Sequence, residues 1–299
     1  MKKCFLFILS VIVVLTNLPA FAINGDTHVI PLIGPVTEKA NAFVSEKIEL
    51  ATIKLPPKKI FKVELLEAER TFAPRFISNQ FGIWSCPLRT KYKDLSWLVP
   101  AAGGLTALLL TDDDFEGALT NNYDISKTQR YISRTFAQIG GYAPTLGIPG
   151  GLTLTGFITK NNKLRETGVL QYKALAHATL VYLVTSRIAG RNKPNNDTKG
   201  KERGEFFEGG TSFPSGHALN SFALSSVLAH EYSDKLWVPI LAYTISTIAS
   251  SSRVLQGVHF PSDVFAGAVV GILIGRYVVK HNSKYAPGSK EKSKKEEDK

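Results

Sequence analysis

At 299 residues the chain is long enough for one large domain or two smaller ones with a sizeable core. With 44% apolar residues, 20% charged residues and a formal charge of +11, it is charge-poor yet basic, a balance that suits nucleic acid, a membrane surface or a phosphorylated substrate. No basic, aromatic-interleaved reader motif is present, which argues against nucleic acid, and two cysteines are too few for a stapled scaffold.

The first 22 residues, MKKCFLFILSVIVVLTNLPAFA, place two lysines before an apolar run and end on a small-x-small pattern. This predicts a secretory signal cleaved near Ala22, the alternative being an uncleaved anchor. Cleavage would remove Cys4 and leave Cys86 alone, so the mature chain would hold no internal disulfide. Residues 23–94 read as a mixed N-terminal extension outside the cell membrane, with LPPKK and APRF marking turns or extended chain.

Residues 95–280 carry six apolar segments: Leu95–Thr111, Thr135–Thr159, Gly168–Ser186, Ala218–Ala229, Leu236–Ser252 and Val264–Val279. Asp112, Asp113 and Asp114 close the first, and Pro144, Pro149 and several glycines interrupt the second. The pattern predicts an all-α bundle of about six helices. Residues 281–299 form a charged, apolar-poor tail expected to be disordered.

A membrane-crossing helix needs about 20 residues, and several of these segments are near or below that. A soluble periplasmic bundle would look similar. With a cleaved signal, five crossings and a non-spanning Leu95–Thr111, the basic loop KNNKLRE and the lysine-rich tail both face the cytoplasm, as the positive-inside tendency asks. That scheme predicts an inner-membrane protein of a bacterial envelope with its polar loops in the periplasm.

Three loops interrupt the apolar segments. Ser186–Asn196, SRIAGRNKPNN, puts Arg187, Arg191 and Lys193 at a helix end, where basic residues also simply complement the dipole. Gly209–Phe222, GGTSFPSGHALNSF, sets Ser215 to cap a helix whose first N–H groups face solvent or an anion. Ser250–Asp263, SSSRVLQGVHFPSD, spaces Arg253, His259 and Asp263. An arginine fork suits phosphate, a histidine can attack phosphorus, and an aspartate on its far ring nitrogen would fix the tautomer. An out-and-back helical pair between Ala218 and Ser252 would return the third loop beside the second, so that His217 and His259 face each other across one anion.

These residues resemble the type 2 phosphatidic acid phosphatase (PAP2) superfamily, which includes bacterial class A acid phosphatases and vanadium haloperoxidases. The family's Pro-Ser-Gly-His stands here as Pro214-Ser215-Gly216-His217. Its Ser-Arg, five residues, His, three residues, Asp stands as Ser252-Arg253, His259 and Asp263. Its first pattern, Lys, six residues, Arg-Pro, departs: Lys193-Pro194 stand for Arg-Pro, and Ser186 takes the lysine position with Arg187 beside it.

The resemblance implies a PAP2-type helical bundle and metal-independent hydrolysis of phosphomonoesters through a phosphohistidine, with no cofactor. His259 would be the nucleophile, Asp263 its orienting acid and His217 the proton donor and then base. Arg187, Arg191, Lys193, Ser215, Gly216 and Arg253 would hold the phosphoryl oxygens. The expected partner is a phosphorylated lipid or a small phosphomonoester, with membrane contact and no nucleic acid. The alternatives are a soluble periplasmic acid phosphatase, a vanadate-dependent haloperoxidase and a non-catalytic anion-binding membrane protein.

Overall fold

A computed structural model describes residues 74–86, 89–122, 127–139, 141–195 and 203–285. The expected signal, most of the N-terminal extension and nearly all of the charged tail lie outside these residues. Among the described residues all helices and no strands occur, so the chain is all-α as the periodicity predicts. The helices are α1 (74–84), α2 (Leu95–Asn122), α3 (Lys127–Ile139), α4 (Tyr142–Ile158), α5 (Asn162–Ala189), α6 (Gly216–Glu231), α7 (Trp237–Leu255) and α8 (Pro261–Asn282).

Two boundaries differ from the sequence reading. The three aspartates do not end the first segment: α2 continues through them to Asn122. Asp112 is 1% exposed and paired inside the bundle, while Asp113 and Asp114 are exposed. Conversely, the uncharged run Thr135–Thr159 is two helices. It breaks at Gly141, whose extended backbone (φ −75°, ψ 176°) starts α4, while Pro149 is accommodated within α4.

The core lies between α5, α6 and α8. Leu170, Ala174, Ala178 and Val181 of α5 meet Leu219, Ala223 and Val227 of α6 and Ile274, Val278 and Val279 of α8. Small residues here allow the backbones to approach closely, the packing available where lipid removes the usual hydrophobic drive between helices. On α8, Gly267, Gly271 and Gly275 recur every four residues. A methyl group on each would fall 2.6, 2.4 and 2.5 Å from the carbonyl oxygens of Ser215, Leu219 and Ala223 along α6 and its N-cap. Any side chain at Gly271 would therefore force α6 and α8 apart.

Local signals set the ends of α5. The Asn161 side chain accepts the Leu164 N–H at 3.0 Å, an N-cap of the ordinary kind. At the other end Gly190 takes the left-handed conformation (φ 57°) that a residue with a Cβ resists, and its N–H closes on the Ser186 carbonyl.

Polar contacts fix the relative directions of the helices. The start of α5 lies beside the ends of α6 and α8, since Lys163 is 4.0 Å from Asp234 and Glu166 accepts the Lys284 N–H at 2.7 Å. α1 is at this same end: Asn79 donates to Asn282 at 3.5 Å, and Gly82 lies against Tyr277. The opposite end collects the finish of α5, the start of α6, the finish of α7 and the start of α8. Asp112 of α2 reaches it too, through Arg191 and Ser262. The basic loop before α5 and the end of α8 thus share one end, as the topology argument requires.

Among the described residues two helices are long and apolar enough to cross a membrane, Tyr92–Asp114 and Pro261–Asn282. The first contains the segment that the sequence reading leaves non-spanning. Outward-facing side chains are strongly apolar: Leu154, Phe157, Leu183, Ile240 and Leu241 are all exposed. Exposed large apolar side chains in such number suit a membrane or partner contact.

Candidate active site

The three motif loops converge at the end opposite α1. The loop after α5 returns along the loop before α6 by backbone bonds, Gly210 N–H to the Gly190 carbonyl at 2.9 Å and Ser212 N–H to the Arg191 carbonyl at 2.9 Å. Gly210 is required there, because a Cβ would lie 2.1 Å from the Arg191 carbonyl oxygen. Asn195 N–H donates to the Gly257 carbonyl at 2.9 Å, which ties the first loop to the third. Ser215 N–H donates to the Asp263 carbonyl at 2.9 Å, which ties the second loop to the first turn of α8.

His259 is buried, with Nδ1 2.9 Å from the Ser212 carbonyl oxygen. A carbonyl only accepts, so Nδ1 carries the proton and a neutral ring keeps its lone pair on Nε2. The sequence reading gave this orienting task to Asp263, whose Oδ2 is 3.6 Å from the same nitrogen. That is an electrostatic contact rather than a hydrogen bond. Asp263 Oδ2 instead accepts from Ser212 Oγ at 2.5 Å and from the Phe260 N–H at 2.8 Å. The aspartate thus fixes the Ser212 residue whose carbonyl fixes the ring, and it also caps α8.

Arg191 differs more. It is 3% exposed, and its guanidinium is spent on protein. Nε donates to the Gly204 carbonyl at 2.9 Å, Nη1 to Ser262 Oγ at 2.7 Å and Asp263 Oδ1 at 2.8 Å, and Nη2 to Asp112 Oδ2 at 2.8 Å. Phe260 and Phe206 cover its plane, with ring centroids 4.2 and 4.8 Å from Cζ. The expectation that Arg191 holds phosphoryl oxygens gives way to a buried ion-pair hub. The motif counted its charge correctly, but two carboxylates from distant parts of the chain consume it.

Three other expected cations have different fates. Lys193 and Arg253 are half-buried and close to His217. Arg187 stands exposed on the last turn of α5. Arg253 Nη1 donates to Gln256 Oε1 at 3.1 Å, and Gln256 in turn reaches the Ser133 carbonyl of α3 at 2.8 Å. Burial and the neighbouring Arg253 push the Lys193 ammonium below its usual range. Burial, then Arg253, His259 and Lys193, push the His217 imidazole down to about 4. His217 thus shares one region with His259 and two cations.

Buried donors remain unused in it. Ser215 is 0% exposed, its N–H is taken by Asp263, and its hydroxyl has no partner; nor has Arg253 Nε. Gly216 opens α6, so its N–H has no acceptor within the helix. Unpaired buried donors beside concentrated positive charge are costly unless an anion takes them. The arrangement can bind a phosphate-like anion, present an imidazole nitrogen to it and supply a second imidazole for proton transfer.

Asp112, Ser212 and Ser262 are the site residues that the sequence reading did not single out. Ser212 lay inside a quoted loop, but a backbone carbonyl leaves no mark in sequence. Asp112 precedes Ser262 by 150 residues, and only the fold brings them together.

Residues 169–285 match the PAP2 superfamily model. The chain is 38% identical over 65 residues to the lipid A 1-phosphatase of Porphyromonas gingivalis, a match covering 21% of this chain and 15% of that protein. It is 40% identical over 63 residues to the lipid A 4'-phosphatase of Bacteroides thetaiotaomicron, covering 21% and 28%. Under a third of either relative's length is therefore spanned. A solved transmembrane PAP2-type phosphatidylglycerolphosphate phosphatase from Bacillus subtilis superposes with a TM-score of 0.49 at 20% identity, over 64% of this chain and 98% of that one.

Proposed function

From the PAP2-superfamily homology of residues 169–285, we propose that this chain is a membrane phosphatase that hydrolyses phosphomonoesters through a phosphohistidine. The observation that carries the reading is the pair of unpartnered buried donors, Ser215 Oγ and Arg253 Nε, beside His217 and half-buried Lys193. His259 Nε2 attacks phosphorus, forming the N–P bond as the P–O bond to the leaving group breaks. Protonated His217 gives its proton to the departing oxygen. Neutral His217 then takes a proton from water, whose oxygen attacks phosphorus and breaks the N–P bond, releasing phosphate and the free imidazole. Arg253, Lys193, Ser215 and the Gly216 N–H stabilise the trigonal-bipyramidal state. Arg187 is exposed and could reach substrate only from the rim. Asp263 orients His259 through Ser212 rather than directly.

His217 must be protonated to act first as an acid, yet the free site holds it neutral near pH 7. A bound phosphate dianion offsets the Arg253 and Lys193 charges that depress it, so substrate arrival and protonation are coupled.

A lipid phosphate is the favoured substrate class, with the site at the outer face of the inner membrane. Support comes from the apolar outward faces of the helices, from two helices able to cross, and from the basic loops gathered at the far end. Phosphate release from detergent-dispersed lipid phosphates by the purified chain, and by its His259→Ala variant, tests this. The wild type should release phosphate and form an acid-labile, base-stable phosphoenzyme, while the variant does neither. Full activity in the variant would dismiss His259 as nucleophile. Turnover of sugar phosphates or nucleotides alone would dismiss the lipid class.

A further inference from the structure

One buried carboxylate would neutralise Arg191, yet two embrace it. Asp263 takes Nη1 at 2.8 Å and Asp112 takes Nη2 at 2.8 Å, with side-chain exposures of 0% and 1%. A second buried carboxylate on a single guanidinium leaves surplus negative charge away from water, which is costly without compensation. Asp112 is compensated locally. Its Oδ1 accepts the Ser262 N–H at 3.2 Å, and its Oδ2 accepts the Ser262 hydroxyl as well as Arg191. Ser262 in turn accepts from Arg191 Nη1 at 2.7 Å, so Asp112, Arg191 and Ser262 form a closed ring.

The ring joins three elements: α2, the loop after α5, and the first turn of α8. It joins them one residue from Asp263 and three from His259. Within the stretch of α2 that could cross a membrane, Tyr92–Asp114, Asp112 is the one fully buried residue. α2 is thus held at the catalytic end through its acid.

We propose that Asp112 is a positioning residue for phosphoryl transfer. It locks Ser262 and Arg191, which hold the first turn of α8 and Asp263. Asp263 holds Ser212, whose carbonyl holds the His259 ring. Asp112 does not touch the cations that receive phosphate. This inference rests on the phosphatase reading above.

The test separates ring placement from anion binding. Vanadate bonds to an imidazole nitrogen as it takes the five-coordinate geometry, so its inhibition constant reports where His259 stands. Inorganic phosphate reports the cationic cradle. Asp112→Asn keeps size and shape but turns a donor toward Arg191. In full-length protein in detergent, Asp112→Asn should lower kcat by about 100-fold, the scale of a displacement near 1 Å in a catalytic group. It should weaken vanadate inhibition by about tenfold or more and leave phosphate inhibition within about twofold. Neither inhibition constant depends on the active fraction, so partial misfolding does not imitate the split.

Asp112→Glu, which keeps the charge, should recover part of the vanadate affinity. If Asp112→Asn does not accumulate, Ser262→Ala removes one side of the ring and should show the same split more weakly. An active wild type whose variants keep the wild-type ratio of the two inhibition constants would overturn the positioning role alone. A wild type that hydrolyses no phosphomonoester would overturn both this role and the phosphatase reading.

Discussion

Replacing Arg191 with lysine separates a hub from a phosphate ligand. The guanidinium makes four hydrogen bonds of 2.7–2.9 Å to partners on three segments and is sandwiched near two aromatic rings. An ammonium cannot span Asp112 and Asp263 with the same fork, so at least one buried carboxylate loses its partner. Breaking a buried, hydrogen-bonded ion pair costs about 3–5 kcal/mol, more than the ~1.5–3 kcal/mol of a single charged hydrogen bond. In a domain of this size each kcal/mol moves Tm by about 2–4 °C, so Arg191→Lys should lower Tm by roughly 10 °C. Thermal unfolding in detergent, followed by tryptophan fluorescence, reads this, and phosphate inhibition is measured on the fraction that stays folded. Phosphate affinity should change little. A Tm within about 2 °C of wild type together with tenfold weaker phosphate inhibition would refute the hub and return Arg191 to the anion.

Lys193→Arg restores the fork that the family pattern carries at this position and should tighten phosphate inhibition by about threefold to tenfold; unchanged or weaker inhibition would place Lys193 away from the anion. His217 titrates near 4 in the folded chain against 6.5 for an ordinary histidine, so between these values the unfolded chain binds the proton and the folded chain does not. Its stabilising contribution is complete above about 6.5 and disappears as pH falls toward 4. The His217→Gln variant should therefore lose less Tm over that range than wild type, and parallel curves would contradict the assignment. Cys86 is exposed and follows α1 at the end away from the catalytic loops. If the N-terminal apolar run stays as the uncleaved anchor and α2 crosses, then in a Cys4→Ser background an impermeant maleimide should label Cys86 only after permeabilisation, while a cysteine at exposed Phe207 labels in intact cells. Labelling of both in intact cells would reject an outward-facing site with α2 crossing the membrane.

The spacing of Ser252-Arg253, His259 and Asp263 and the Pro214–His217 motif made the convergence of these loops legible, because helix-capping loops carry their side chains at fixed local separations. Periodicity likewise predicted an all-helical bundle. The departures came from contacts that are remote in sequence. Charge type alone suggested that Arg191 served phosphate, whereas Asp112 on α2 and Asp263 on α8 absorb it. Asp112 looked like part of a helix stop because three consecutive aspartates follow an apolar run, and its buried partner was invisible. Asp263 looked like the ring's direct partner because the His-x3-Asp spacing allows that contact, yet the loop before α6 inserts the Ser212 carbonyl between them in the hydrogen-bond order.

The direction of α2 has a mechanical corollary. α2 stays one helix through its internal Pro100, and at about 1.5 Å per residue its 28 residues from Leu95 to Asn122 reach about 42 Å. Its lower portion adjoins the α1 end, and near its upper portion Asp112 grips Arg191. Pushing or pulling on such a lever from the α1 end would tug on the carboxylate that keeps the catalytic imidazole aligned. Force applied on one face of the molecule thereby has a material route to chemistry on the other.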